Sequence, residues 1–205
     1  SEFFEATKQM CLYQQPVKKP AMSTPQSPDP MLAILSILSS RWDDFWPGLL
    51  QELRPCFGPV EDLTELFEFR ETSYYDQELG VPLKRRMISF RDLVDPAGLA
   101  DMKVFTNRLE QGHACSDGRR LFNLDPGLLS LERLVLATGK NYTHRIYLSQ
   151  GIWADLTLMY QHKGWQSLPW TFPDYGGRHM QAILSRFREG YKHKLQDWKA
   201  GTPLV

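Results

Sequence analysis

Hydrophobic and polar positions along the chain first predict a buried strand and then an amphipathic helix. Residues 31–38, MLAILSIL, are apolar on both faces, as in a strand that is covered on both sides. From Trp42 to Leu53 the apolar residues recur at helical spacing, which predicts a helix that begins near Trp42. Gly58 and Pro59 follow, and they predict where this helix ends.

The next segments add three strands and a second helix. Asp95 followed by Pro96 is typical of a helix start, and Gly112 predicts the end of that helix after about Gln111. Segments rich in β-branched and aromatic residues predict strands at 61–69, 84–90 and 119–124. Turn-forming residues between and after them predict a loop at 73–82 and a turn at 125–127. The resulting order, β-α-β-β-α-β, predicts an α+β fold with a ferredoxin-like core, in which both helices cover one face of an antiparallel sheet.

Downstream of this core we expect a short helix, a β-hairpin with one more strand, and a long C-terminal helix. Ser130 and Gly139 have the character of a helix N-cap and a helix C-terminal stop. The segment 143–158, THRIYLSQGIWADLTL, predicts the hairpin, and residues 164–168 predict the further strand. An apolar stripe at helical spacing between 180 and 198 predicts the final helix.

The preferred register of the hairpin brings two pairs of side chains together. Arg145 lies opposite Asp155 as an ion pair, and Tyr147 lies opposite Trp153. His144 then falls on the apolar face of the hairpin. A histidine in that position is either a hydrogen-bonded core residue or a general base or ligand.

The N-terminal 30 residues differ from the rest of the chain. Residues 16–30, PVKKPAMSTPQSPDP, carry five of the 14 prolines, which predicts an extended linker. Met22 is a candidate natural start, so residues 1–21 are either an appended extension or a short amphipathic arm that docks on a partner. We therefore expect a disordered or extended arm and linker at 1–30 and a single α+β domain at 31–205.

Composition and charge exclude several classes of protein. Apolar residues make up 42% and charged residues 23% of the chain, as in globular proteins. The formal net charge is zero, so broad electrostatic binding to nucleic acid or to an anionic membrane is not expected. The three cysteines are far apart and form no C-x-x-C pair, which favours a reducing compartment. With no signal peptide or membrane span evident, these features predict a cytoplasmic protein.

Two groups of polar residues stand beside predicted core positions. Lys103, Asn107 and Glu110 follow one another at helical spacing next to the apolar stripe of the second helix. They form either one wall of a binding site or an ordinary boundary face. Asn123 is unusual for a strand, and it either binds a ligand or begins the turn that includes Asp125.

Two common kinds of site have no support in the sequence. Gly139-Lys140 looks like part of a phosphate-binding loop, but the pattern predicts that it closes a helix, and no G-x-x-x-x-G-K-[ST] motif is present. The five histidines have no metal-ligand spacing, so no metal site is predicted. Arg85 and Arg86, at the start of the third strand, are either further candidate contacts for an anion, with Arg86 the preferred one, or ordinary exposed arginines at a strand end.

Seven ordered motifs carry a resemblance to a known family. They are YYDQELG, RRMISF, KVFTNRLE, RLFNLDPG, LVLATGKNYTHRIYL, GIWADLTL and LPWTFPDY. Together these motifs resemble a bacterial family known as Domain of Unknown Function 4416. Members of that family are sometimes labelled GTP-binding, and the chain shows no nucleotide-binding motif that supports the label. The resemblance implies no particular cofactor, but it gives weight to the polar residues within the motifs.

These observations lead to a functional hypothesis and an alternative. We expect a small-molecule-binding protein, or an enzyme of unknown reaction, that takes an anionic or nucleotide-like ligand. His144 or Glu110 is the expected proton-transfer group. The expected ligand-binding residues are Arg86, Lys103, Asn107, Asn123, Asp125, Lys140, Arg145 and Asp155. The alternative is a non-catalytic interaction module or an oligomeric structural protein, which holds a partner through its sheet or its N-terminal arm.

Overall fold

The computed structural model describes residues 23–71 and 73–201, and it confirms a mixed α+β fold with a large antiparallel sheet. Among the described residues, the strands are β1 (Met31–Ser39), β2 (Val60–Leu63), β3 (Phe67–Glu68), β4 (Lys84–Val94), β5 (Asn123–Leu129), β6 (Arg133–Thr138), β7 (Ile146–Ser149), β8 (Ile152–Gln161) and β9 (Gly164–Ser167). The α-helices are α1 (Leu49–Phe57), α2 (Asp76–Leu79), α3 (Leu99–Gly112), α4 (Pro173–Gly176) and α5 (Arg178–Lys199).

One continuous sheet organises the molecule. Its strand order is β2-β4-β1-β5-β6-β8-β7, with β3 paired to β4 and β9 paired to β8, and every pairing is antiparallel. The apolar strand β1 lies at the centre of its half of the sheet, between β4 and β5. This position explains why both of its faces are apolar, since helices cover the sheet on both sides.

Helices on the two faces of the sheet enclose two separate cores. On one face, α1 and α3 pack against alternate residues of β1 such as Leu35 and Ile37. On the other face, α5 packs against Leu32 and Ile34 through its own apolar stripe. The Lys194 ammonium fastens α5 to β4 by donating to two backbone carbonyls and by pairing with Glu61.

The short helix that Ser130 suggested is wrong, because residues 133–138 form strand β6. Ser130 instead occupies a tight turn, in which its backbone N–H donates to the carbonyl of Arg133. The Ser130 hydroxyl accepts a hydrogen bond from the N–H of Glu132 and donates to its carboxylate. A serine that bonds the N–H two residues ahead stabilises a turn as readily as a helix start, so the local signal was ambiguous.

The strand expected at 119–124 begins later, and the turn expected at 125–127 is wrong. Strand β5 begins at Asn123 and passes through Asp125, Pro126 and Gly127. Pairing between β5 and β6 begins only at Gly127, so β5 has no neighbour on that side at Pro126. A proline is tolerated where a strand lacks a partner on one side, and long-range pairing with β1 overrides the local turn signal.

Other elements differ from expectation in their bounds. The first α-helix begins at Leu49, after a 3₁₀ turn at Trp42–Asp44. The strand expected at 61–69 is divided into β2 and β3, and the segment 73–82 contains the short helix α2. The second long helix is preceded by a 3₁₀ turn that Asp95 caps, as its sequence predicted.

The hairpin, the strand after it and the final helix are confirmed. Tyr147 lies opposite Trp153, and a bulge then shifts the register so that Ser149 lies opposite Ile152. Gln150 and Gly151 both have positive φ, as the turn between these two strands requires. Because β6 precedes Gly139-Lys140 and β7 follows it, this segment connects two strands, and no helix follows the lysine as it would in a phosphate-binding loop.

Residues 1–22 lie outside the described part of the chain, so the structure does not test the expected arm. Residues 23–30 have no regular secondary structure. Cys56 and Cys115 are free, while Cys11 is outside the described residues. None of the helices in the described part of the chain combines the length and the apolarity that crossing a membrane demands.

Candidate functional site

A fork between β5 and β6 creates the candidate site. The two strands pair only from Gly127 opposite Leu136 to Leu129 opposite Leu134. On the N-terminal side of Gly127, β5 remains paired with β1. On the C-terminal side of Leu136, β6 remains paired with β8. A cavity of about 660 Å³ is lined by residues from both arms of the fork and by helices α3 and α4. Divergence of two strands therefore opens a ligand-sized space within the sheet.

Most of the polar residues expected at the site line this cavity. Those residues are Lys103, Asn107, Glu110, Asn123, Asp125, Lys140, Arg145 and Asp155. The cavity is also lined by polar and aromatic side chains outside the expected set of site residues, namely Phe69, Glu71, Tyr74, Tyr75, Arg85, Arg120, Phe172, Asp174 and Tyr175. Arg86 and His144 are the two proposed residues that do not line it.

Arg120 is the centre of a charged network at one end of the cavity. Its guanidinium donates to both carboxylate oxygens of Glu78, at 2.5 and 2.7 Å. The same group donates to Glu110 at 2.9 Å and to the side-chain oxygen of Asn123 at 2.7 Å. The second oxygen of Glu110 accepts the backbone N–H of Leu124, so both oxygens of this proposed proton-transfer group are engaged.

Lys103 and Asp125 form a second pair, which joins α3 to β5. The Lys103 ammonium donates to the carbonyl of Leu124 at 2.7 Å and to the Asp125 carboxylate at 3.1 Å. The other Asp125 oxygen accepts the Asn123 amide at 2.6 Å. With its side chain 31% exposed, Asp125 presents this carboxylate to the cavity. Asn123 is therefore a bridge between the Arg120 network and the Lys103 pair.

Burial and neighbouring charges shift the pKa values of the carboxyl groups in these networks. Burial raises the pKa of Glu110 above its ordinary value, in spite of the nearby Lys103 and Arg120. Hydrogen bonds from Arg120 lower the pKa of Glu78. Burial would raise the pKa of Asp125, but the charge and the hydrogen bond of Lys103 outweigh it, so that this pKa is lowered.

Two side chains that precede β7, those of Arg145 and His144, contact the Asp155 carboxylate. Arg145 donates to it at 2.8 Å, which confirms the expected ion pair, and His144 Nε2 lies 3.1 Å from the same oxygen. The His144 ring stacks on Trp170 at a centroid distance of 4.7 Å. Because Asp155 lines the cavity and His144 does not, His144 reaches the cavity only through Asp155, while its Nδ1 is buried without a partner among the described residues.

The two consecutive arginines of β4 point to opposite faces of the sheet. Arg85 faces the cavity, where it donates to Asp174 at 2.5 Å and lies over the ring of Phe69. Arg86 lies over the ring of Trp46 on the opposite face, which is covered by α1. Alternation along a strand predicts that only one of two neighbouring residues can face a site, but the sequence did not show which one.

Several donors in the cavity have no partner among the described residues. The Asn107 amide makes no hydrogen bond, nor does the hydroxyl of Tyr75, whose pKa burial raises to about 12. Lys140 lies 2.7 Å from the hydroxyl of Tyr74, yet no described carboxylate lies within 4 Å of its ammonium. Groups of this kind are available to a ligand without breaking a contact within the protein.

The sequence left the role of Asp174 open between packing and projection into a cleft, and it gave no signal for Arg120. In the strand expected at 119–124, Arg120 would face away from Asn123, but the strand begins only at Asn123. Asp174 lies in the aromatic segment LPWTFPDY, and its contact with Arg85 joins residues 89 positions apart. Within residues 23–71 and 73–201, no group of three or more His, Cys, Asp or Glu side chains is arranged to hold a metal ion.

Comparison with known proteins identifies the family. Searches of curated proteins and of solved structures found no match to the chain. Residues 29–191 match the family described as Domain of unknown function (DUF4416), as the sequence motifs suggested. The matched region includes every strand of the sheet and every residue that lines the cavity. Because the match covers more than half of the chain, this protein belongs to the DUF4416 family.

Proposed function

We propose that this protein binds a small anionic or nucleotide-like molecule in the cavity at the β5–β6 fork. The observation that carries the proposal is the convergence of polar groups from separate elements on one cavity of about 660 Å³, among them the Asn107 amide and the Tyr75 hydroxyl, which have no hydrogen-bond partner among the described residues. A volume of this size suits a metabolite or a nucleotide. Asn107 and Tyr75 supply free donors, Asp125 supplies an acceptor, and Lys140 supplies a positive charge.

Aromatic side chains around the cavity support a ligand with a planar part. Tyr74, Tyr75 and Phe172 all line it, and Tyr74 and Phe172 are 65% and 55% exposed. An exposed aromatic ring beside a polar cavity can stack on a flat ligand, which offsets the cost of leaving that ring in water. This combination of planar and charged surfaces is the reason for preferring a nucleotide-like ligand.

Binding has more support than catalysis. Both oxygens of Glu110 are held by Leu124 and Arg120, and His144 acts on the cavity only through Asp155. In an enzymatic version of the proposal, Asp155 would be the group that contacts the substrate, with His144 and Arg145 as positioning residues. A general acid or base must be within hydrogen-bond reach of the reacting atom, and Asp155 meets that requirement for a ligand in the cavity.

The experiment that tests binding is native mass spectrometry of the purified protein, followed by screening of anionic metabolites and nucleotides. We expect a retained or added small molecule, and we expect Asn107→Ala and Lys140→Ala to weaken its binding about tenfold or more. Lys192→Ala is the matched control, because Lys192 is an exposed residue of α5 that does not line the cavity. If the cavity variants and the control bind every compound as wild type does, the proposed site is wrong.

A ferredoxin-like core is the finer fold assignment that we propose. The strands β2-β4-β1-β5 lie side by side in that order and are all antiparallel. This is the order that a β-α-β-β-α-β chain takes in that fold, with α1 and α3 on one face. Strands β6 to β9 then extend one edge. A crystal structure with a different strand order in this half of the sheet would refute the assignment.

A second candidate function is self-association through the edge strand β7. Three consecutive apolar residues of this strand, Ile146, Tyr147 and Leu148, are 71%, 54% and 40% exposed. The strand has no charge or proline, the features that usually protect an edge from pairing. A second copy can pair with it in antiparallel fashion, which a twofold axis permits.

Light scattering coupled to size-exclusion chromatography tests this second candidate. A dimer that Ile146→Lys converts to a monomer would support it, and a wild-type monomer at high concentration would refute it. The cytoplasmic location suggested by the spacing of the cysteines is also a proposal, which cell fractionation would test.

A further inference from the structure

The charges around the cavity are not evenly balanced from end to end. Four of its five cations have a carboxylate partner within 4 Å: Arg85 with Asp174, Lys103 with Asp125, Arg120 with Glu110, and Arg145 with Asp155. The fifth cation is Lys140, whose exposed ammonium has no described carboxylate partner. The buried part of the cavity is therefore close to electrically neutral, and at its exposed side Lys140 is the cation, and Glu71 the carboxylate, without a described ion-pair partner within 4 Å.

Arg85 has donors to spare in the buried part. Its side chain is 6% exposed, and its contact with Asp174 uses only one of its three guanidinium nitrogens. Neither Nε nor Nη2 has an acceptor among the described residues; Nε is sealed from solvent, so Nη2 is the nitrogen that a ligand can reach. Aromatic rings of Phe69 and Tyr175 flank the guanidinium at 4.5 and 5.4 Å. A buried arginine with unused N–H groups beside a cavity is a site for an acceptor atom of a ligand.

We propose that the ligand has its negative charge at one end only, with the anionic group at Lys140 and an uncharged, planar carbonyl-bearing group at Arg85. This inference rests on the proposed function of the cavity and deepens it by naming the chemical class of the ligand. Such a site excludes ligands that carry a charged group at both ends, such as dicarboxylates and bisphosphates.

The reason for an uncharged group at Arg85 is the presence of carboxylates on both sides. Asp174 is in contact with the guanidinium, and Asp125 is close enough for Arg85 to lower its pKa. The pairs Arg85–Asp174 and Lys103–Asp125 leave this end of the cavity with no net charge, so an anionic group would lose its hydration there without a net attraction in return. A carbonyl oxygen accepts the spare N–H groups without adding charge, and a planar amide or lactam fits between aromatic rings.

A matched pair of probes tests the charge preference: benzamide and benzoate, which differ little in size and shape. The measurement is an NMR titration of the Lys140→Ala variant. Without the Lys140 ammonium, the exposed side of the cavity no longer attracts an anionic group, so the titration probes only the Arg85 end. Resonances of Phe69 and Tyr175 report binding at that end. We expect benzamide to bind about tenfold more tightly than benzoate, because the carboxylate loses its hydration without a net attraction in return.

Two variants make the test specific to Arg85. Asp174→Asn, in the same Lys140→Ala background, leaves the arginine without its neutralising partner, so the preference should reverse in favour of benzoate. Arg86→Gln is the matched control for Arg85→Gln, because Arg86 neighbours Arg85 but points to the opposite face. We expect Arg85→Gln to abolish the preference and Arg86→Gln to preserve it, with circular dichroism to verify the fold of each variant.

The outcomes separate this inference from the proposed function. If benzoate binds the Arg85 end as well as benzamide does, or if Asp174→Asn leaves the preference unchanged, the one-ended ligand is refuted while the cavity still binds small molecules. If neither probe binds at millimolar concentration to wild type or to any variant, the inference and the proposed function both fail. Should Arg85→Gln not fold, the reversal by Asp174→Asn still decides between the two results.

Discussion

At the scale of single residues, Arg120 has the largest part in shaping the site. It joins Glu78 of the short helix α2, Glu110 of α3 and Asn123 at the start of β5. These three side chains come from segments with no regular pairing to one another. The bidentate contact with Glu78 fixes the plane of the guanidinium, which in turn orients the Asn123 amide towards Asp125.

Replacing Arg120 should therefore destabilise the protein. We expect Arg120→Gln to lower the free energy of unfolding by about 2–4 kcal/mol, because Glu110 is left buried with no charged partner in contact. Arg119→Gln is the matched control, since Arg119 is exposed and pairs with Asp117, two residues away. Urea denaturation should place the control within about 0.5 kcal/mol of wild type. Equal effects of the two substitutions would contradict the central position of Arg120.

Asp125 should make the stability of the protein depend on pH. Its pKa is lowered in the folded state, so it contributes stability that is fully present above the ordinary aspartate pKa of about 4. That contribution is lost as the pH falls through the lowered pKa. We expect Asp125→Asn to cost more stability at pH 7 than near about pH 3, as measured by urea unfolding at both values. A cost that does not change with pH would show that the pair with Lys103 contributes no charge-dependent stability.

At the scale of secondary structure, strand β5 decides where the cavity lies. The first four residues of β5 pair with β1 and with no other strand, and the fork begins at Gly127. The absence of a side chain at Gly127 lets β6 approach closely at this point. A Cβ atom there would meet Leu136 at 2.7 Å and the carbonyl of Val135 at 2.9 Å, so the glycine is a requirement of strand packing.

Substitution of Gly127 tests how closely β5 and β6 pack where the fork begins. We expect Gly127→Ala to lower the free energy of unfolding by about 1–3 kcal/mol through overpacking. Gly190→Ala provides a control of opposite sign, because Gly190 lies within α5 with nothing within 4 Å of an added Cβ. Alanine in a helix interior should raise the stability by up to about 1 kcal/mol. Thermal and urea unfolding of both variants would show whether only the fork is sensitive.

At the scale of the whole molecule, the sheet is covered on both faces, and the two cores share β1. Helices α1 and α3 bury one face, while α5 buries the other through apolar residues such as Met180, Leu184 and Phe187. Removal of α5 would expose the second core to water. The cavity lies at the side of the sheet where β5 and β6 diverge, and short segments such as α4 complete its wall.

Two truncations test this division of the chain. Deletion of residues 1–22 should leave the melting temperature unchanged, because the proline-rich segment 16–30 predicts an extended linker between these residues and the domain. Truncation after Gly177 removes α5, and we expect loss of cooperative unfolding together with binding of a hydrophobic dye. A large loss of stability on deletion of residues 1–22 would show instead that this segment packs against the domain.

Sequence patterns located much of the fold and most of the residues that line the site. The apolar run of β1, the cap at Asp95, the hairpin register at Tyr147 and Trp153, and the stripe of α5 are local signals, and all of them are confirmed. Turn signals were less reliable. Ser130 and the Asp-Pro-Gly segment favour several local conformations, and pairing with distant strands selected among them.

By itself, the sequence determined the fold class and the family, together with a set of polar residues of which eight line one cavity. Periodicity and short motifs are enough for these, because each depends on neighbours within a few turns or residues. Only the tertiary structure decided that β5 and β6 part at Gly127, that Arg85 and not Arg86 faces the cavity, and which cations are neutralised. These features depend on strand register and on contacts between residues far apart in the chain, which no local pattern encodes.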